Sequence, residues 1–396
     1  MTDLLKNIKL LSTNNVANKR VLLRVDFNVS LTPEKTTTDT IRITKALPTI
    51  ELLLKNNNKI ILVSHLDRPE KRDSKYSLLP IGDYLQTLLP ENRIILVEDF
   101  LSPTGKEQLA QQLPNEIILL ENIRFYPGEQ TNDEEFAKQL ASLADVYVND
   151  AFGVSHRNDA SVVGIPKLLP SFCGLLLEKE MNAVTTIMEN PKKPVVAIIG
   201  GAKISTKIVV LEKLLGVLDY LLLAGGLANT FLLSEGVEIG QSLAEKDKVE
   251  EAKRITEIAK EKGAILLLPL DAVGLEDGVE KTYPVSNIPL RFSMLDIGPQ
   301  TQAAYKQVIA KAKTIIWNGP VGKTEDSRFT AGTNTLFDTI VQNKEAFSLG
   351  GGGDTLAAIS KKETNANMYV STGGGAMLEL IENGTLPGIE ALRNEN

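Results

Sequence analysis

PVVAIIGGAK (194–203) and DYLLLAGG (219–226) decide the fold. Each is a strand-length run of branched apolar residues that stops at paired glycines. Neither alternates polar with apolar, so neither has a wet face, which is the signature of a parallel strand covered on both sides. Four more runs follow the same grammar: AILLLPLDAVG (264–274), KTIIWNGPVG (313–322), AFSLGGGGDT (346–355) and NMYVSTGGGA (367–376). Helical patterns lie between them, such as DKVEEAKRITEIAKEKG (247–263). Strands alternating with helices specify βαβ units and one parallel sheet.

The first half repeats the unit with RVLLRVDFNV (20–29), KIILVSH (59–65), RIILVED (93–99), EIILLEN (116–122) and DVYVND (145–150). Helical patterns at 40–57 and 132–144 separate them, with Asn132 or Thr131 expected to cap the second. GIPKLLPSFCG (164–174) is broken by Pro and Gly; LLLEKEMNAVTTIMEN (175–190) then reads as one helix, stopped by PKKP. The expected architecture is α/β: two doubly wound, parallel-sheet, Rossmann-like domains joined by an interdomain helix and hinge. Binding loops should lie beyond the carboxyl ends of the strands.

The composition is that of an ordinary soluble globular protein, which leaves an enzyme or a binding protein open. The chain has 396 residues, 43 Lys plus Arg against 50 Asp plus Glu, and a net charge of -7. That balance argues against a dedicated nucleic-acid binder. One cysteine, Cys173, excludes an intrachain disulfide and a multi-cysteine metal cluster, and two histidines are too few for a His-rich zinc site. MTDLLKNIKL lacks the apolar core of a signal peptide, and no stretch is apolar enough to span a membrane. A cytoplasmic, monomeric protein is the expectation.

The glycine pairs and runs at 200–201, 225–226, 350–353 and 373–375 all follow strands. Glycine there lets a ligand approach backbone N–H groups, and a helix starting just after adds anion-binding donors. Tight strand–helix turns are the simpler explanation of any one cluster. Two common nucleotide motifs fail: Trp317 stands where the leading glycine of a P-loop belongs in 317–324, and the glycine run at 350–353 is poor support for a dinucleotide fingerprint. Asp354-Thr355 could contact Mg²⁺ or merely cap a helix. Lys203 and Lys207 would share a face if their segment is helical, and two cations there suit a triphosphate.

In the first half, Arg42, His65, Arg68, Arg124 and Arg157 fall at strand ends or early in the next helix. Five cationic or potentially cationic groups could hold a small, highly anionic substrate, with Asp26 and Asn28 bonding its hydroxyls. The alternative is that these arginines pair with local acids such as Glu121 or Asp150.

The chain resembles the phosphoglycerate kinase family almost end to end. The resemblance rests on RVDFNV (24–29), SHLDRP (64–69), LLENIRF (119–125), NDAFGVSHR (149–157), GGAKISTK (200–207), AGGLANTFL (224–232), LPLDAV (268–273), DIGP (296–299), WNGPVG (317–322), GGGDT (351–355), STGGGA (371–376) and TLPGIEAL (385–392). It departs from the usual pattern at Ser30 (for proline), Asp67 (for glycine), Asp159 (for histidine), Lys323-Thr324 and Met368-Tyr369.

The resemblance implies a reversible, Mg-dependent phosphoryl transfer between ATP and the carboxylate of 3-phosphoglycerate, giving 1,3-bisphosphoglycerate and ADP. It implies an acid-binding domain of residues 1–170 plus 382–396, using Asp26, Asn28, Arg42, His65, Arg68, Arg124 and Arg157. A nucleotide domain of 171–381 would use Gly201, Ala202, Lys203, Lys207, Gly225, Gly226, Asn318, Pro320, Glu325, Gly351, Gly352, Gly353, Asp354 and Thr355. Arg42, Lys203, Lys207, Gly373 and Gly374 would serve the transfer itself, and Asp354 would hold Mg²⁺ with the nucleotide phosphates. A NAD(P)-dependent dehydrogenase and a two-domain ligand-binding protein are the competing readings.

Overall fold

In the computed structural model, residues 4–32, 40–352 and 364–393 are described. The chain divides into two units, one of Thr2–Asn182 with Asn383–Asn396 and one of Ala183–Glu382. The boundary falls inside the helix Leu175–Glu189, the expected interdomain helix.

The first unit contains a sheet of β1 (Arg20–Arg24), β2 (Lys59–Val63), β3 (Arg93–Val97), β4 (Glu116–Leu120), β5 (Val146–Asn149) and β6 (Ser171–Cys173). All pairs are parallel, in the order β3-β4-β2-β1-β5-β6. The apolar runs form strands because helices cover them; Ile43, Ala46, Ile50 and Leu53 of the helix Ile41–Lys55 recur every three or four residues and pack onto β1 and β2. Truncating Ile50 to alanine should cost about 2–5 kcal/mol. The edge strand β6 is a difference from the sequence reading, which took 164–174 as broken backbone. A second difference is a cap: Asp133, not Asn132 or Thr131, accepts from the Phe136 N–H and starts the helix Glu134–Ala141.

The second unit has the six parallel strands expected from the sequence: β7 (Val195–Ile199), β8 (Tyr220–Leu223), β9 (Ile265–Leu267), β13 (Thr314–Asn318), β14 (Phe347–Gly351) and β15 (Met368–Val370), in the order β15-β14-β13-β7-β8-β9. Between β9 and β13 the chain adds an unforeseen antiparallel sheet of β10 (Asp271–Glu276), β11 (Val279–Pro284) and β12 (Phe292–Ile297). Its hairpin turns on Asp277 and Gly278, both at positive φ (49° and 83°), the backbone of a two-residue primed turn. β10 and β12 carry Ala272, Met294 and Asp296 to the wall of a cavity described below.

Candidate active site

In the first unit, the candidate residues follow β1, β2, β4 and β5 at their carboxyl ends, as a doubly wound sheet requires. Arg42 enters from the first turn of the helix after β1. Its Nη1 donates to the Asn28 carbonyl, and its Nε lies 3.9 Å from Asp26 Oδ2. Asn28 Oδ1 accepts from the Asp67 N–H at 2.8 Å, and Arg124 Nη1 donates to the Asp67 carbonyl at 2.5 Å. Asn122 ties these loops together: its amide donates to Leu66 O (2.8 Å) and Tyr76 O (3.0 Å), while its Oδ1 accepts from Arg124 N (3.1 Å).

Asn28, Asp67, Arg68, Tyr76, Arg124 and Arg157 line a cavity of 460 Å³. Buried Nε and Nη2 of Arg124, and buried Nε of Arg157, have no hydrogen-bond partner among the described residues, although the Asp159 carboxylate lies 4.0 Å from Arg124 Nη2. A buried guanidinium donor without an acceptor costs about 1–3 kcal/mol or more, a cost that an anionic ligand in the cavity would relieve. Burial lowers the Arg124 pKa to about 10, helped by Arg157 and opposed by Asp159, which still leaves it charged at neutral pH. The local acids near these arginines are Asp26, 3.9 Å from Arg42, and Asp159, 4.0 Å from Arg124, rather than Glu121 or Asp150. Glu121 accepts from Ser77, Leu78 and Asn122, and Asp150 accepts from the N–H groups of Leu176 and Leu177.

His65 is the potentially cationic member of the set. It is 2 % exposed, and burial, reinforced by Arg24, Arg124, Arg157 and Arg42, holds its pKa well below the usual value. It is therefore a neutral hydrogen-bonding group, not a cation of the site. Arg24, absent from the sequence-based set, lies against its ring, as Asp26 Oδ1 does at 3.9 Å. This fully buried guanidinium donates from Nε to Ser161 Oγ (2.8 Å) and sets Nη2 3.4 Å from His65 Nδ1. The signal was a charge at the end of an otherwise apolar strand.

In the second unit, the loops after β7, β8 and β13 meet over the sheet. At Gly225 (φ +68°) a Cβ would lie 2.7 Å from Gly201 O; at Gly319 (φ +85°) one would lie 2.7 Å from Gly200 O. Only glycine permits both the backbone and the approach. Gly201, Ala202, Gly225, Gly226, Pro320 and Glu325 line a cavity of 390 Å³. Its apolar wall includes Leu243, Pro269, Ala272, Met294 and Val321, which suits a flat aromatic base. The helix Gly225–Ser234 begins at this cavity.

Asn318 ends β13, buried, with Nδ2 donating to Gly351 O at 2.8 Å. Gly352 follows at φ +117°, and Gly374 opens the helix Gly374–Asn383 against it. The Gly373 N–H donates to Ser371 Oγ at 3.2 Å. Gly353, Asp354 and Thr355 lie outside the described residues. Lys203 and Lys207 are not on a helix, as their spacing allowed: the helix starts at Ile208, with Lys207 as its N-cap. Lys207 Nζ donates to Gly200 O (2.6 Å), whereas Lys203 is exposed.

Asp296 was also missed by sequence reasoning. It lines the cavity, accepts from Gly332 N and Ile297 N at 2.8 Å each, and is raised to about 6 by burial. Of the described residues lining the cavity, Lys323 is the cation and Asp296 and Glu325 are the acids. Among the described residues, no group of three or more His, Cys, Asp or Glu is placed to hold a metal ion, and no helix is long and apolar enough to cross a membrane.

The family model described as phosphoglycerate kinase matches residues 11–384. The phosphoglycerate kinase of Chloroflexus aurantiacus is 44% identical over 387 residues, covering 96% of this chain and 97% of the relative. That of Nostoc punctiforme is 43% identical over 395 residues, covering 98% of each. The solved phosphoglycerate kinase of Coxiella burnetii superposes with a TM-score of 0.84 at 39% identity, and that of Pyrococcus horikoshii with 0.85 at 30%. Each covers 97% of this chain and 98% of the solved one.

Proposed function

The chain belongs to the phosphoglycerate kinase family and catalyses its reversible phosphoryl transfer, and we propose that its two cavities divide the ligands between them. The cavity of the first unit takes 3-phosphoglycerate or 1,3-bisphosphoglycerate; that of the second takes ATP or ADP. The observation that carries this reading is the set of buried guanidinium donors of Arg124 and Arg157 that make no hydrogen bond among the described residues. The dehydrogenase and binding-protein readings are not favoured.

The chemistry follows from charge. The substrate carboxylate is ionised at neutral pH, so its attack on the γ-phosphoryl needs no general base. The difficulty is bringing two anions together, and fixed cations and N–H dipoles meet it. In this account Arg68, Arg124 and Arg157 hold the acid's phosphate, and Asp26, Asn28 and neutral His65 bond its hydroxyl. Arg42 holds the reacting carboxylate. Lys207, anchored to Gly200 O, follows the transferring oxygens, with Lys203 assisting. Gly374 offers a helix-start N–H; Gly373 can do so only by leaving Ser371 Oγ. Asp354 would hold magnesium together with the nucleotide phosphates, and the metal would offset their charge. We place the enzyme in the cytoplasm as a monomer, with glycolytic ATP formation as its physiological direction.

Calorimetric titration of two variants tests the division. Arg157→Ala should weaken 3-phosphoglycerate at least tenfold and leave ADP unaffected. Gly226→Val, whose Cβ would lie 2.6 Å from Ala202 O, should do the reverse. Loss of the same ligand in both variants would refute it.

A further inference from the structure

One residue of the acid cavity carries the wrong sign for an anion site. Asp67 stands in SHLDRP where the family pattern has glycine, and it lines the cavity beside Arg68, Arg124 and Arg157. Its backbone adopts φ +53°, the left-handed region that explains a glycine there and that aspartate tolerates better than most residues. That backbone is fixed from both sides by the cavity itself. The Asp67 N–H donates to Asn28 Oδ1 at 2.8 Å, and its carbonyl accepts from Arg124 Nη1 at 2.5 Å. The Cα therefore cannot swing away without releasing two residues of the acid site, and the side chain, exposed, stays at the rim.

We propose that Asp67 is a specificity-determining residue that weakens the grip of this cavity on highly anionic acids. Three arginines and one aspartate line it, so the lining carries a formal charge of +2 where the glycine pattern would leave +3. Asp159, in place of a histidine, acts in the same direction from behind Arg124, with Oδ2 4.0 Å from Nη2. A ligand in the cavity lies within about one Debye length of the Asp67 carboxylate, roughly 8 Å at physiological salt. Repulsion of a phosphorylated acid over that distance corresponds to about a three- to tenfold loss of affinity. The consequence is a higher working concentration of acid and faster release, set by one exposed charge. The inference rests on this cavity being the acid's site.

The test is the dissociation constant of 3-phosphoglycerate for the full chain, measured by calorimetry at low and high salt. Asp67→Asn keeps a residue that tolerates positive φ and removes the charge; Asp67→Gly removes both charge and strain. Both should bind about three- to tenfold more tightly than the wild type at low salt, and the gap should close at about 0.5 M salt. Unchanged binding in Asp67→Asn overturns the proposal, as does tightening in Asp67→Gly alone, which would assign the effect to backbone strain. Arg124→Lys separates the two levels. If it binds the acid poorly while Asp67→Asn binds normally, the site stands and the role of Asp67 falls. If Arg124→Lys also binds normally, the site is misassigned and both fall.

Discussion

Nη2 of Arg24 lies 3.4 Å from Nδ1 of His65, both side chains buried beneath the carboxyl ends of the first sheet. A guanidinium can only donate, which disfavours a proton on Nδ1, although Asp26 Oδ1 lies 3.9 Å from the same nitrogen. Burial first, and then Arg24 with Arg124, Arg157 and Arg42, hold the pKa of this group, proposed to bond the substrate, below its ordinary value.

The first prediction concerns His65. Its folded pKa is depressed by burial and by the surrounding arginines, while an unfolded histidine titrates near 6.5. Below about pH 6.5 the unfolded chain takes up a proton that the folded chain refuses, so this contribution to stability is present above that pH and is lost as pH falls. The imidazole of His65 should keep its neutral NMR shifts from about pH 8 down to about pH 6. Urea midpoints should fall less between those values in His65→Asn than in the wild type.

Asp150 gives the opposite sign. Burial raises its carboxyl to about 6, although it accepts from Leu176 N and Leu177 N. Between about pH 4 and pH 6 the unfolded state releases this proton first, so stability from this group falls as pH rises. Moving from pH 4 to 7, Asp150→Asn should gain on the wild type by on the order of 3 kcal/mol. Parallel pH profiles of denaturant unfolding would contradict this.

At Gly319, alanine would meet positive φ, a carbonyl at 2.7 Å and Lys207 Nζ at 3.2 Å. Gly319→Ala should cost about 1–3 kcal/mol in unfolding and weaken the binding of ADP. Thermal unfolding of the nucleotide-free and ADP-bound chains measures both.

Lys207→Ala removes an ammonium held at Gly200 O. The expected result is a kcat lower by about 10²–10³ with ADP affinity within about threefold. An unchanged kcat would remove Lys207 from the transfer.

The parallel sheets were legible because their strands are buried on both faces and read as unbroken apolar runs. The hairpin of β10 and β11 was not, since β11 is mostly exposed and has no apolar run, although Asp277-Gly278 announced its turn. The three-residue edge strand β6 is too short to signal itself amid Pro and Gly. Within the site, the arginines were visible as cations at strand ends. The neutrality of His65 was not, because it arises from burial and from side chains more than a hundred residues apart in sequence, such as Arg24 and Arg157. Lys203 and Lys207 misled by spacing: four residues apart implies a shared face only if the segment is helical, and this one is a loop.

The most direct test of phosphoryl transfer to a carboxylate is an assay with MgATP, 3-phosphoglycerate and hydroxylamine, which captures an acyl phosphate as its hydroxamate. The account predicts one hydroxamate for each ADP released, and neither product without the acid. ADP formed with no hydroxamate, at a rate indifferent to 3-phosphoglycerate, would contradict it.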